Sequence, residues 1–169
     1  MIKRALEAGL IEMAVTNPRD FTKSRHRQVD DTIYGGGAGM LMMCQPLFDA
    51  CHHVLPEKGP RDRVIFLSPA GKTFNQDKAK ELQRDYDHLV LICGHYEGVD
   101  HRVEEHLADE LISIGDYVLT GGELGAMVIS DAVARMVPGV LGDAGSAASD
   151  SFYEPILEYP QYTKPAEYN

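Results

Sequence analysis

Residues 111–141 read LISIGDYVLTGGELGAMVISDAVARMVPGVL, and this stretch decides the fold of the chain. A short apolar strand leads through two glycine-containing turns into a helix that ends before Pro138. The helix carries apolar side chains almost all round, and its charges are Glu123, Asp131 and Arg135. Because a helix without a wide polar face is normally buried, we predict that this helix lies in the core.

Upstream of this stretch, apolar strands alternate with helices. We predict strands at residues 63–68 (RVIFLS), 88–93 (HLVLIC) and 111–114, with a further candidate at 11–15. The predicted helices between them cover residues 45–55, 76–86 and 100–107. Asn75 is placed to cap the second of these helices. Apolar strands separated by helices are typical of an α/β fold, with a mainly parallel sheet and helices on both faces.

Loops rich in small residues follow three of the strands. They are SPAG at 68–71, GHYEG at 94–98 and IGDYVLTGG at 114–122. In parallel sheets, ligands bind beyond the carboxyl ends of the strands. We therefore expect the three loops to converge on one site, where backbone N–H and C=O groups bind a ligand.

The composition limits the function classes. A chain of 169 residues with 44% hydrophobic and 25% charged residues is typical of one globular domain. Its net charge of −10 does not favour nucleic-acid binding as a global property. Cys44, Cys51 and Cys93 form no CxxC and are odd in number, which indicates a reducing compartment rather than disulfides or zinc. Without a long apolar run or a signal peptide, we expect a cytoplasmic protein with no membrane partner.

Residues 95–106 contain several side chains of the types that bind metals. The HxE pattern of His95 and Glu97 lacks the PCxxC segment of zinc deaminases, and HExxH is absent. We therefore predict no metal site and assign most of residues 100–106 to the polar face of a helix. Since GxSxG is also absent, two classes remain: a methyl- or nucleotide-transfer enzyme that uses backbone loops, and a noncatalytic nucleotide-binding module.

Two further segments each allow two interpretations. YGGGAGM at residues 34–40 has neither GxGxxG nor Walker spacing. It is either a flexible turn or a place where backbone approaches a flat ligand closely. The basic cluster of residues 19–27, RDFTKSRHR, is either a solvated loop or a phosphate-contacting loop.

Five motifs in order, YGGGAGM, FLSPAG, CGHYEGVD, SIGDYVLTGGEL and DAVARMVPGVLG, closely resemble the bacterial tRNA (guanine-N1)-methyltransferase family, the TrmD type of the SPOUT superfamily. PRDFT, QVDD and SDSF add to a resemblance that covers essentially the whole chain. The resemblance implies an α/β fold with a C-terminal trefoil knot and S-adenosylmethionine as the cofactor. It implies methylation of N1 of the guanine immediately 3′ of the tRNA anticodon, by a homodimer whose active site is shared between subunits.

The cofactor contacts that the resemblance implies lie on the three loops and the strand ends beside them. They are Phe66, Leu67, Pro69, Gly94, Tyr96, Gly98, Ser113, Ile114, Gly115, Asp116, Tyr117, Val118, Leu119, Gly121 and Gly122. Gly39 and Glu97 match residues at the target guanine, and Arg135 and Asp150 match residues with catalytic roles. The spacing of Asp131 and Arg135 also allows an intrahelical ion pair. Asp150 is, in the plainer interpretation, one more loop carboxylate.

The resemblance also divides the chain. Residues 1–141 are expected to form the SPOUT methyltransferase domain, and residues 142–169 a mobile active-site loop and interdomain linker. A first strand and a following helical domain are implied that residues 1–169 do not include, so the sequence resembles a shortened form of the family's protein. Because that helical domain carries much of the tRNA grip in the family, we expect little activity from this chain alone.

Overall fold

The computed structural model describes residues 1–142 and 150–168. Its elements in chain order are α1 (Ile2–Glu7), a 3-10 helix (Pro18–Phe21), β1 (Asp30–Thr32), β2 (Met40–Met42), α2 (Cys44–Val54), β3 (Asp62–Thr73), α3 (Gln76–Asp85), β4 (His88–Cys93), α4 (Arg102–His106), β5 (Glu110–Ser113) and α5 (Glu123–Ala134). None of the helices within these described ranges is long and apolar enough to cross a membrane.

The centre of the fold is a three-stranded parallel sheet in the order β4, β3, β5. Ile65 of β3 lies opposite Leu91 of β4 and Glu110 of β5. β1 and β2 form a separate antiparallel pair. The predicted α/β fold with a parallel sheet is confirmed, and β4 has the bounds that the sequence predicted.

Helices cover both faces of this sheet, and the side chains of β3 point alternately to one face and the other. Phe66 points into a cluster that includes Leu47 of α2 and Val103 of α4. Ile65, its neighbour, points to the opposite face and packs in a cluster with Leu82 of α3 and Ile129 of α5. Two cores therefore lie on opposite sides of one strand.

β3 is longer than the sequence predicted. It pairs with β5 up to Leu67, shifts register, and pairs again through Lys72 with Ile112 and Thr73 with Ser113. A Cβ atom on Gly71 would lie 2.5 Å from the backbone nitrogen of Ile112, so glycine permits this close approach. The prediction that the strand ends at residue 68 was wrong, because β3 continues to Thr73, and SPAG is a bulge between Leu67 and Lys72, which both pair with Ile112.

The predicted all-round burial of α5 is also wrong. Ile129 is fully buried, but the exposed fractions are 57% for Leu124, 66% for Met127 and 48% for Val128. These three side chains share one face of the helix, since they are spaced three and four residues apart. α5 packs on the sheet with one side only, and its other side is an apolar surface.

Two smaller predictions have opposite outcomes. Residues 11–15 form no strand in the described structure, and Val15 is 99% exposed, because no neighbouring strand pairs with this segment. The cap of α3 is confirmed: the Lys78 N–H donates to Asn75 Oδ1 at 2.9 Å.

Candidate functional site

Main-chain contacts hold the loop after β4 against the start of α5. The Gly122 N–H donates to the Gly94 carbonyl at 3.0 Å, and His95 forms an antiparallel bridge with Gly121. A Cβ atom on Gly122 would lie 2.7 Å from Cys93 Cα, so a side chain there would force the two backbones apart. Residues 94–98 and 121–122 therefore form one continuous backbone surface.

The loop after β5 joins this surface through the end of β3. The Phe74 N–H donates to the Ser113 carbonyl at 2.7 Å. The buried Ser113 hydroxyl donates to the Gly115 carbonyl at 3.1 Å and accepts from the Gly115 N–H at 3.2 Å. Leu67 lies against α5, where a Cβ atom on Gly125 would be 2.5 Å from Leu67 Cδ1. The expected convergence of the three loops is confirmed.

Side chains of the converged loops present apolar groups to solvent. Tyr96, Tyr117, Val118 and Leu119 are exposed, as are Pro69 and Asp116. The Tyr117 hydroxyl donates to the Ile114 carbonyl at 3.1 Å, which fixes the ring over its own loop. Phe66 differs, because its side chain is buried beneath Gly94 and does not line the surface. The site is an open platform of backbone rimmed by apolar side chains.

A histidine–carboxylate pair spans two of the loops. His95 Nε2 lies 2.5 Å from Glu123 Oε1, directly over Gly121. The hydrogen bond from His95 holds the pKa of the Glu123 carboxyl below its ordinary value. Burial, with a smaller contribution from the Glu123 charge, raises the pKa of the nearby Cys93 thiol to about 11, so this thiol is protonated at neutral pH. Sequence reasoning missed the pair, because residues 28 positions apart give no spacing signal.

The glycine segment around Gly39 lies against the loop after β4. The Glu97 N–H donates to the Met40 carbonyl at 3.1 Å, and the Met42 N–H donates to the Gly98 carbonyl at 2.9 Å. Gly39 has a φ of 85°, and a Cβ atom there would overlap the Glu97 side chain. The structure thus brings together Gly39 and Glu97, the two residues that the resemblance places at the target guanine.

The two residues matched to catalytic roles form an ion pair. Arg135 Nη2 contacts Asp150 Oδ2, and the two side chains are 39% and 38% exposed. The structure describes no ion pair between Arg135 and Asp131, so the intrahelical alternative for Arg135 is not adopted. Within residues 1–142 and 150–168, no hydrogen bond joins this pair to the three loops. The predicted mobile loop falls partly on residues 143–149, which lie outside the described residues.

Asp150 borders a concave surface of its own. A depression of about 400 Å³ is lined by Asp150 and by side chains between Glu154 and Gln161. The same segment is fixed to α3, because Lys80 Nζ lies 4.4 Å from the centre of the Tyr153 ring. Asp150 is therefore placed between Arg135 and the chain that follows it.

Comparison with known proteins gives consistent matches. A family model described as tRNA (Guanine-1)-methyltransferase TrmD matches residues 1–169. A curated tRNA (guanine-N(1)-)-methyltransferase of Ruminiclostridium cellulolyticum is 52% identical over 169 residues, which cover 100% of this chain and 72% of that protein. The protein of the same name from Desulforamulus reducens is 55% identical, over 99% of this chain and 66% of that protein. The one from Geobacillus kaustophilus is 52% identical, over 99% of this chain and 68% of that protein.

Proposed function

This chain belongs to the tRNA (guanine-1)-methyltransferase family, and we propose that it transfers a methyl group from S-adenosylmethionine to N1 of the guanine immediately 3′ of the tRNA anticodon. The observation that carries this proposal is the family match over residues 1–169. The convergence of the three loops supports it, because the cofactor contacts that the resemblance implies lie on those loops and the strand ends beside them.

The three-loop platform suits the proposed cofactor. Glycines at positions 94, 121 and 122 allow the loops to approach each other closely, because a Cβ atom there would meet neighbouring protein atoms, and Tyr117, Val118 and Leu119 offer apolar contact for an adenine ring. Bound there, S-adenosylmethionine supplies an electrophilic methyl group on a sulfonium. The loops would hold and orient it by main-chain hydrogen bonds, and this alignment would lower the barrier without a dedicated side chain.

The chain's own residues would prepare the guanine. N1 carries a proton and becomes a good nucleophile only when that proton leaves. We assign Asp150 as the base that takes this proton, and Arg135 as the cation that stabilises negative charge on the neighbouring carbonyl oxygen. Glu97 and Gly39 would contact the guanine ring and position it. The Arg135–Asp150 ion pair supports these roles, because two side chains in contact are close enough to act on one ligand.

The test of this function compares two substrates. At saturating tRNA, the wild-type chain with S-adenosylmethionine should methylate tRNA that carries guanine 3′ of the anticodon, at the low rate expected of this chain alone, and an adenine-bearing variant should remain unmethylated. Equal reaction of both tRNAs would refute the proposed substrate. If ATP or GTP binds the chain and S-adenosylmethionine does not displace it, the noncatalytic nucleotide-binding module is the correct class.

We also propose that the chain acts as a homodimer whose active site is shared between subunits. The apolar face of α5 formed by Leu124, Met127 and Val128 supports this, since a large exposed apolar patch marks an interaction site. A shared site would also account for the separation of the Arg135–Asp150 pair from the three loops of its own chain.

Sedimentation tests the dimer. At micromolar concentration we expect about twice 18.7 kDa for the wild-type chain. Met127→Asp should shift the mass to that of a monomer, because a carboxylate cannot be buried unpaired in an apolar interface. Met13→Asp, a matched change at an exposed methionine outside this face, should leave the dimer intact. A monomeric wild type, or a dimeric Met127→Asp, would contradict the proposal.

Three further features rest on family membership. We propose the SPOUT-type trefoil knot, the division into a methyltransferase domain at residues 1–141 and a loop and linker at 142–169, and a cytoplasmic location, where tRNA is found.

A further inference from the structure

The basic loop, defined as residues 19–27, is anchored to α2 rather than free in solvent. Gln45 Nε2 donates to the Phe21 carbonyl at 2.8 Å. The Phe21 ring packs on the ring of His53, with 5.2 Å between their centres. The position of the loop is therefore fixed by the folded domain.

Arg19 connects the basic loop to Tyr96 of the three-loop platform. Its Nη2 donates to the Tyr96 hydroxyl at 3.1 Å, and its Nη1 donates to the Arg27 carbonyl at 2.9 Å. Tyr96 has a φ of 62°, a left-handed conformation that is unfavourable for a residue with a side chain. The hydrogen bond from Arg19 fixes the position of the Tyr96 side chain. Because Glu97 follows Tyr96 directly, the basic loop lies beside the residues assigned to the target guanine.

Two cations of this loop point to solvent without a counter-charge. Lys23 and Arg25 are exposed, and the described ranges give them neither an ion pair nor a hydrogen bond. Two other surface arginines are neutralised: Arg61 pairs with Asp87, and Arg102 pairs with Asp100. Within the loop itself, Arg27 pairs with Asp20. In a chain of net charge −10, an anchored segment with two closely spaced cations that have no ion pair among the described residues favours an anionic partner.

We propose that Lys23 and Arg25 bind the phosphodiester backbone of the tRNA next to the target guanine, and that Arg19 positions this contact by fixing the loop against Tyr96. The proposal rests on the proposed function, because it takes tRNA as the substrate. Each cation that neutralises a phosphate releases condensed counterions, so the contact adds affinity that depends on salt and not on sequence. The contact would let a domain of net negative charge bind RNA next to the residues assigned to the target guanine.

The test is the salt dependence of tRNA binding to the wild-type chain and to a Lys23→Gln, Arg25→Gln double variant. Loss of two phosphate contacts should reduce the slope of log K against log salt by about 1.4 to 1.8, at 0.7 to 0.9 for each contact. Lys3→Gln with Arg4→Gln is the matched control, since these changes remove one lysine and one arginine from α1, outside the basic loop. The control should keep the wild-type slope. In single-turnover transfer, the double variant should need more tRNA for half-maximal rate but reach the wild-type rate at saturation.

The outcomes separate this inference from the proposed function. S-adenosylmethionine binding should be equal in the wild type and in both double variants, which confirms that each is folded. If the wild type methylates guanine-bearing tRNA and the Lys23→Gln, Arg25→Gln variant keeps the wild-type salt slope, the inference is wrong and the proposed function stands. If the wild type binds S-adenosylmethionine but its tRNA affinity does not vary with salt, the phosphate contact is likewise refuted. If no guanine is methylated at saturating tRNA, the proposed function itself fails.

Discussion

Replacement of Asp150 by asparagine should slow single-turnover methyl transfer to tRNA by about 10² to 10⁴, the effect expected when a general base is lost. The amide keeps the size of the side chain but cannot take the N1 proton. Affinity for S-adenosylmethionine should stay nearly unchanged, because the described structure gives Asp150 no hydrogen bond to the three loops. The measurement is the single-turnover rate at saturating cofactor and tRNA, with cofactor affinity measured separately by calorimetry.

The ion pair between Arg135 and Asp150 predicts how the rate effects of their substitutions combine. Since Arg135 and Asp150 are in contact, their substitutions should not be additive. The double variant Arg135→Gln, Asp150→Asn should therefore be about as slow as the slower single variant. A full single-turnover rate in Asp150→Asn would refute the assignment of the base, and Glu97 would be the next carboxylate to examine.

Replacement of Gly122 by valine should weaken S-adenosylmethionine binding by about 5- to 150-fold, the range that corresponds to about 1–3 kcal/mol of overpacking. A Cβ atom at this position would lie 2.7 Å from Cys93 Cα and 3.1 Å from the Gly94 nitrogen. Both neighbours are backbone atoms that cannot turn away. The valine should therefore separate residues 94–98 from 121–122 and disrupt the surface that holds the cofactor.

Two variants calibrate this result. Gly142→Val is the matched control, because a Cβ atom at Gly142 would meet no atom within 4 Å in the described structure. Gly94→Val should have a smaller effect than Gly122→Val, since its Cβ would meet the Val99 side chain at 3.0 Å and the Phe66 ring at 3.3 Å, which can shift. Titration calorimetry measures the affinity, and thermal unfolding shows whether each variant is folded. Wild-type affinity in Gly122→Val would place the cofactor elsewhere.

Much of the framework could be predicted from local sequence signals. β4 was predicted with its observed bounds because a continuous apolar run, LVLIC, follows Asp87 and His88 and ends at Gly94. Asn75 was predicted as a cap because the N–H that donates to its side chain belongs to Lys78, only three residues along the chain. The convergence of the loops followed from a general property of parallel sheets, in which carboxyl ends share one edge.

The features that sequence reasoning missed depend on contacts between distant residues. Spacing favoured Asp131 as the partner of Arg135, whereas the fold brings Asp150 to it. The apolar sequence of α5 predicted that the whole helix is buried. A helix face that packs in the core and one that is exposed in the single chain can both be apolar, so composition alone does not distinguish them. The strand was predicted to end at SPAG because nothing local reveals that β3 pairs again with β5 after Gly71.

The position of β3 in the sheet has a consequence for synthesis of the chain. β3 is the middle strand in space but the first of the three in sequence, and both of its partners follow it. On the ribosome, at about 5–20 residues per second, the edge that pairs with β5 waits about 2 to 8 s after β3 is complete. Meanwhile an apolar strand has an unpaired edge, which is a template for aggregation. The yield of folded protein in cells should therefore depend on chaperone capacity and growth temperature during translation, and less on the stability of the finished domain.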